Sequence, residues 1–250
     1  MTEFRYSAWE DRSALTTLWQ QAFGDETAFI DAFFETAYEP SRSRVAVEEG
    51  RIAGMLFWFD CGYRKEKMAY LYAVATDLQF RGKGIATALM KDCEQVLKEQ
   101  GYDGVILSPG SPELFRFYRD RGYRTLGFRG EERIAAGDPI SVREVGIEEY
   151  ARIRRTLLPE KGIVQEGENL AFLHRFCRFF TGEGFCAVVY RTEAFLPEYL
   201  GDARRIPGLL AALGLKEASV RTAEANIPCA MAKWLKDRSP EDFYLGFVFD

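Results

Sequence analysis

The stretch Leu71 to Thr87, LYAVATDLQFRGKGIAT, decides how this chain is read. Its first part continues a run from Lys67 to Thr76 rich in tyrosine and small apolar residues, which predicts a strand. Its last part opens a helix over Ile85 to Gln100, with Ala86, Leu89, Met90, Cys93, Val96 and Leu97 at helical spacing and Gly101 at the close. Between them stands Gln79-Phe80-Arg81-Gly82-Lys83-Gly84. Glycines there let backbone N–H groups turn inward and approach a ligand. The helix start adds partial positive charge and unpaired donors, so strand, turn and helix together make a seat for a phosphate or pyrophosphate. A Walker A loop is excluded for want of Gly-x-x-x-x-Gly-Lys-Ser/Thr, and the dinucleotide fingerprint would need a third glycine where Thr87 stands. The plainer alternative is a Gly-Lys-Gly turn that only links two elements.

Working outward, Phe4 to Tyr6 reads as a short strand. Asp11 is a candidate cap for a helix carrying Leu15, Leu18, Trp19 and Phe23, and Gly24 stops it. Asp25 is a candidate cap for a second helix with Phe29, Ile30, Phe33, Phe34 and Ala37. Val45 to Glu48 and Ile52 to Cys61 form a hairpin around Glu49-Gly50. Val105 to Leu107 is a buried strand, Ser111 or Pro112 begins the next helix, Gly122 ends it, and a strand follows from Tyr123. Gly130 to Pro139, polar and glycine-containing, reads as a linker or hairpin. The order then repeats: an opening strand near Ile140 to Arg143, helices over Ile147 to Leu158 and Asn169 to Thr181, a strand over Phe185 to Arg191, a short helix from Pro207 to Leu213. Gly214 to Val220 mirrors Gly101 to Leu107. This describes an internal repeat with a shortened second copy, or else two unrelated α/β halves.

Of 250 residues, 47% are hydrophobic and 28% charged, a globular composition. Lysine and arginine total 33 against 38 acidic residues, a net charge of −5 that argues against nucleic-acid binding through a basic surface. His174 is the only histidine, which excludes sites needing two histidines, and no metal is expected. Cys61, Cys93, Cys177, Cys186 and Cys229 form no Cys-x-x-Cys pair and are odd in number, as suits a reduced, cytoplasmic protein. No signal peptide and no membrane-length apolar run is read, so no membrane partner is expected. His174 sits in an aromatic stretch and reads as a packed or surface residue.

The Gln-x-x-Gly-x-Gly pattern after a strand resembles motif A of the GNAT N-acetyltransferase superfamily. Leu114-Phe115-Arg116-Phe117-Tyr118-Arg119-Asp120-Arg121-Gly122-Tyr123 resembles its motif B, Phe-Tyr, three residues, Gly, aromatic. The resemblance covers about residues 4 to 135. It implies an α/β fold with a mixed sheet, the GNAT acyltransferase fold, and acetyl-CoA as co-substrate. It implies that Val74, Ala75 and Thr76 pair with the pantetheine arm, the Val74 N–H also polarising the thioester carbonyl. Arg81, Gly82, Lys83, Gly84, Ile85 and Ala86 would hold the pyrophosphate, with Thr87 adding a hydroxyl. Tyr118 would protonate the departing thiolate, though it also fits a core aromatic on an amphipathic helix. Ser111 stands where the family often carries Asn, seven residues before the tyrosine, and reaches less far toward the cofactor.

A primary amine, attacking the thioester directly, is the implied acceptor, and a small molecule is the expected form of it. A base must take the amine proton. Candidates are Glu66, Asp60, a water relay or a group from the second half. The apolar end Phe243 to Asp250 reads as a docked strand whose last carboxylates, on Asp250, could serve as that base, or as a strand that only completes a sheet. The expected division is 1–133, an acetyltransferase domain, and 134–250, a smaller degenerate GNAT-like half. This layout resembles the enhanced-intracellular-survival type of acetyltransferase, whose members are longer by a sterol-carrier-like domain. The second half has Asp202 where a pyrophosphate would sit, so one donor site per chain is expected. Trp9, Trp19, Phe23, Phe29, Phe33 and Trp58 are either core or an acceptor pocket. A non-catalytic acyl-CoA module and a protein N-acetyltransferase are the competing readings, and the sequence leaves a homo-oligomer open.

Overall fold

The computed structural model describes residues 2–238 and 241–249. The first half runs β1 (Glu3–Arg5), α1 (Arg12–Phe23), α2 (Thr27–Thr36), β2 (Ser43–Glu48), β3 (Arg51–Tyr63), β4 (Glu66–Thr76), α3 (Ile85–Glu99), β5 (Gly104–Leu107), α4 (Pro112–Arg119) and β6 (Arg124–Ala135). The second runs β7 (Arg143–Val145), α5 (Ile147–Leu157), β8 (Ile163–Gln165), α6 (Glu168–His174), β9 (Cys177–Gly182), β10 (Phe185–Tyr190), β11 (Phe195–Gly201), α7 (Ile206–Ala212) and β12 (Glu217–Trp234). Strands β1, β2, β3 and β4 pair antiparallel in turn, and β4 pairs parallel with β5 through α3. Strands β7, β9, β10 and β11 do the same, and β11 pairs parallel with β12 through α7. The repeat read in the sequence is therefore present in element order and in the sense of each pairing.

Each copy buries both faces of its strands, so the strands read as near-continuous apolar runs. In the first half Leu15, Trp19, Ile30 and Phe33 of α1 and α2 pack with Phe57, Phe59 and Tyr72 on one face. Leu89, Cys93 and Leu97 of α3 pack with Leu56, Trp58 and Leu71 on the other. In the second half Tyr150 and Leu170 of α5 and α6 face Phe179, Cys186 and Val188, while Leu209 and Leu210 of α7 face Ala187, Leu196 and Val220.

The halves are not joined end to end. Strand β12 pairs with β11 over Ser219 to Thr222, then with β5 over Met231 to Trp234, while β6 lies antiparallel along nearly all of it. One twelve-stranded sheet thus runs through both halves, and β12 supplies the neighbour of β5. At another edge β8 of the second half pairs with Cys61 to Tyr63 of β3.

Several local expectations are corrected. Gly130 to Ala135 is strand, not linker; its polar residues face charged partners on β12, with Arg133 paired to Glu217 and Glu131 accepting from Arg221 at 3.0 Å. The helix expected over Asn169 to Thr181 ends at His174, and Cys177 to Gly182 pairs as β9 with β10, because an aromatic run satisfies either period and sheet pairing decides it. Asp11 does not cap α1 through its side chain; it accepts from Arg5 at 2.6 Å and from the Ala8 N–H, closing the 3₁₀ turn Trp9–Asp11 ahead of α1. Asp25 caps none either, and accepts from the Trp19 indole at 2.7 Å. Phe243 to Phe249 is buried for most of its length, yet it makes only two isolated bridges, Phe243 to Gly127 and Tyr244 to Gly162. Gly246, at φ +92°, breaks the extended run.

Candidate active site

Strands β4 and β5 pair only from Met68–Gly104 to Tyr70–Ile106. Beyond Tyr70 they part, while β5 stays paired with β12 over its whole length, Gly104 to Leu107. The parting is reinforced by a bulge in β4: Met55 faces Ala75 and Phe57 faces Tyr72, so one extra residue lies between, and Ala73 adopts φ +49°. A bulge with a non-glycine residue at positive φ is strained backbone held in place by its surroundings, and it re-aims the strand.

The wedge opens into a cavity of about 690 Å³. Leu71, Tyr72, Ala73 and Val74 form one wall, Leu107 to Ser111 with Leu114 and Tyr118 another, and Trp19, Phe23, Asp25 and Phe29 of the α1–α2 corner a third. The second half closes it with Pro228 and Cys229 of β12 and with Val248 and Phe249. Tyr118 is 7% exposed, and its ring packs edge-on against Phe117 and Tyr123. Its hydroxyl makes no hydrogen bond among the described residues, which leaves it available to a ligand. Burial pushes its pKa up to about 12, against the opposing pull of Arg121, so the phenol keeps its proton at neutral pH.

At the end of β4, Asp77 accepts from the Gln79 N–H and starts a single 3₁₀ turn over Leu78 to Phe80. Gly82 and Gly84 follow at φ +76° and +79°, and no atom lies within 4 Å of where a Cβ would stand on either. Gly84 holds the N-cap position of α3 without a side chain to satisfy the first amides. With no side-chain cap, those first amides suit an anion seat. Thr87 is engaged: its hydroxyl accepts from Arg121 at 2.9 Å, and the Arg121 guanidinium lies 3.4 Å over the Phe117 ring. Ser111 occupies the N-cap of α4 but makes no capping bond through its side chain, which pairs with Glu113.

Of the residues expected at the site, Val74, Ser111 and Tyr118 share the cavity, and Arg81 to Ala86 form the turn and helix start directly beyond it. Ala75 is buried on the α1–α2 side, Ile85 packs into the α3 core, and Thr76 precedes the turn. Asp60 and Glu66 line no part of the cavity: Asp60 accepts from Tyr102 and lies 3.7 Å from Arg42, and Glu66 is paired with Arg238. Asp250 lies outside the described residues. Trp19, Phe23 and Phe29 line the cavity, whereas Trp9 is 52% exposed and Trp58 sits beneath α3. His174 ends α6 with its ring 5.3 Å from Phe179. The sequence reading missed Asp25, Arg129, Cys229 and Phe249 as wall residues, since each reaches the wedge through tertiary packing that no local pattern announces.

The counterpart turn in the second half is instructive. Asp202 accepts from the Arg204 N–H as Asp77 does from Gln79, and a 3₁₀ turn over Ala203 to Arg205 follows. Helix α7 then begins at once with Ile206, whereas Arg81 to Gly84 separate the first turn from α3. The missing residues are the glycine turn itself.

Residues 3–126 match the family model described as an acetyltransferase (GNAT) domain. Human N-acetyltransferase 8 is 32% identical over 87 residues, 33% of this chain and 38% of that protein, so the match spans well under half of that relative. Among solved structures, a GCN5-related N-acetyltransferase from Anabaena variabilis superposes with a TM-score of 0.76 at 14% identity, covering 94% of this chain and 73% of that one. Eis1 from Mycobacterium abscessus gives 0.67 at 12% identity over 94% and 74%. At such identities the likeness is one of fold, and it extends through both halves. The first half of the chain is a GNAT N-acetyltransferase domain, and the molecule carries the GNAT fold. Among the described residues no helix is long and apolar enough to cross a membrane.

Proposed function

We propose that the protein transfers an acetyl group from acetyl-CoA to a primary amine of a small, largely apolar molecule. The observation that carries this is the Tyr118 hydroxyl, protonated and without a hydrogen-bond partner among the described residues, in a cavity bounded by the bulged strand β4. In this reading the pyrophosphate lies over the amides of Arg81 to Ala86, with Thr87 at the edge. The pantetheine arm runs in the wedge beside Val74 to Thr76, past Ser111. The neutral amine attacks the thioester carbon, and the Val74 N–H stabilises the oxyanion. The C–S bond then breaks, Tyr118 donates its proton to the leaving thiolate, the nitrogen gives up its extra proton to the base, and the phenolate regains one from solvent. Holding the two reactants together can contribute about 7–11 kcal/mol to lowering the barrier, so few other groups are required.

The walls Trp19, Phe23, Phe29, Tyr72 and Phe249 favour an acceptor with an aromatic or alkyl body. Asp25 supplies a carboxylate toward its ammonium form. For the base we retain Asp250, since the preceding Val248 and Phe249 line the cavity and neither Asp60 nor Glu66 does. The test is acetyl-CoA with a panel of primary amines that includes 2-phenylethylamine, followed through thiol release. Tyr118→Phe is expected to keep acetyl-CoA binding and to lower kcat by about 10²–10⁴-fold. A kcat within twofold of wild type, with chemistry limiting, would return Tyr118 to a packing role. Acetyl-CoA binding with no release on any amine would favour the non-catalytic module.

A further inference from the structure

The second copy carries a buried charged cluster that the reaction above does not use. Arg154 of α5 and Glu198 of β11 are 2% and 0% exposed and meet in a two-pronged pair, at 2.7 and 2.9 Å. Burial opposes the charge on Arg154, but the Glu198 carboxylate outweighs it and raises the guanidinium pKa. The Arg154 side chain also donates to the Ile163 carbonyl, and Tyr150 donates to Glu198 at 2.8 Å. Glu198 lies four residues before Asp202, as Ala73 lies four before Asp77. It therefore stands at the counterpart of the bulge that opens the first half's cavity.

Here that place is filled, and by one segment. Tyr244 donates to Glu198 at 3.2 Å, Gln165 donates to the Phe247 carbonyl at 2.9 Å, and the Arg154 guanidinium lies 5.1 Å from the Phe247 ring centre. Between them Gly246, at φ +92°, passes so close that a Cβ would stand 2.4 Å from Arg154 Nη2 and 2.8 Å from Glu198 Oε1. The segment then leaves this socket for the other half. Val248 and Phe249 enter the first half's cavity wall, with the Phe249 ring 4.5 Å from Phe59, 5.6 Å from Tyr72 and 5.3 Å from Phe172.

We propose that the Arg154–Glu198 pair is a positioning device: the second copy's vacated site has become a socket that holds residues 244–247 in one register and so sets Phe249 in the acceptor wall. A buried ion pair stabilises little more than an apolar filling of the same volume would. What it adds is direction, because Tyr244 donates to Glu198 Oε1 while Gly246 passes Arg154 and Glu198 with no room for a Cβ. The role in acceptor binding rests on the transferase reading above; the socket itself does not.

The test compares the full chain with Gly246→Ala, which sets a methyl group against Arg154 at a positive φ, and with the milder Tyr244→Phe, which removes one donor and keeps the ring. Hydrogen exchange is read at the amides of residues 247–249, with α3 as internal reference. Acetyl-CoA affinity is read by calorimetry, and kcat and KM with 2-phenylethylamine. The expected result is exchange at 247–249 at least tenfold faster in Gly246→Ala with α3 unchanged. Acetyl-CoA affinity should stay within twofold, and kcat/KM for the amine should fall at least tenfold, with Tyr244→Phe between. Wild-type exchange at 247–249 in Gly246→Ala overturns the socket. Faster exchange with kcat/KM for the amine within twofold overturns its role in acceptor binding. Failure of the wild-type chain to bind acetyl-CoA overturns the transferase reading and that role with it, while the exchange result still decides the socket.

Discussion

At the scale of single residues, Tyr118 and Asp25 carry opposite lessons. Tyr118 was legible because Phe-Tyr, three residues, Gly, aromatic is a local pattern, and the structure brings its side chain to the cavity. Its pKa is raised by burial from the ordinary value of 10 to about 12, so its neutral form contributes stability fully below pH 10. That contribution is lost as pH rises from 10 through about 12. The denaturation midpoint should therefore fall over this window, and fall less in Tyr118→Phe; equal falls in both proteins would contradict the burial argument. Asp25 was misread as a helix cap because aspartate before a helical run is a common start signal. The indole of Trp19 claims it instead. Asp25→Asn keeps an oxygen for that indole while removing the charge. Steady-state kinetics should then show KM for the amine raised by about tenfold, on the order of 1.4 kcal/mol, with acetyl-CoA affinity unchanged.

At the scale of elements, β4, the glycine turn and α3 were legible since the apolar period changes from a strand's to a helix's across two glycines. The turn's function depends on how α3 is seated. Gly54 of β3 makes that seat close: a Cβ there would lie 3.2 Å from the Ala75 carbonyl and 3.2 Å from Ile85 Cγ2. Gly54→Val should push the start of α3 outward, at a cost of about 1–3 kcal/mol in stability. Acetyl-CoA affinity should weaken in the same variant, whereas a loss of stability with affinity intact would separate the seat from the turn. Gly84→Glu tests the turn itself. Its residue needs φ +79°, and a carboxylate would stand before the anion seat, so calorimetry should show CoA binding reduced by tenfold or more. Elements such as β9 and β6 were not legible. The Cys177 to Gly182 run fits both periods, and the charges of Gly130 to Ala135 resemble a loop until β12 is laid beside them.

At the scale of the molecule, the order of elements exposed the repeat, but nothing local in the sequence announced that β12 would serve both copies. Without β12, β5 would lose its neighbour on one side and β6 its partner along most of its length. A fragment ending at Ala135 is accordingly expected to lack a cooperative thermal transition and to expose apolar surface to a dye. A sharp transition in that fragment would mean that the first copy closes its own sheet.

The same shared strand has a consequence in time. Ribosomes add about 5–20 residues per second, and the strand that must lie beside β5 emerges roughly 120 residues after it, some 6–25 s later. Throughout that interval the growing first copy holds an open sheet edge and an unfilled wedge, the kind of surface on which nascent chains associate with one another. The translation schedule, more than the finished molecule's stability, is then where this architecture is exposed. Slowing elongation after Leu107 should lower the yield of folded protein far more than slowing it after Trp234.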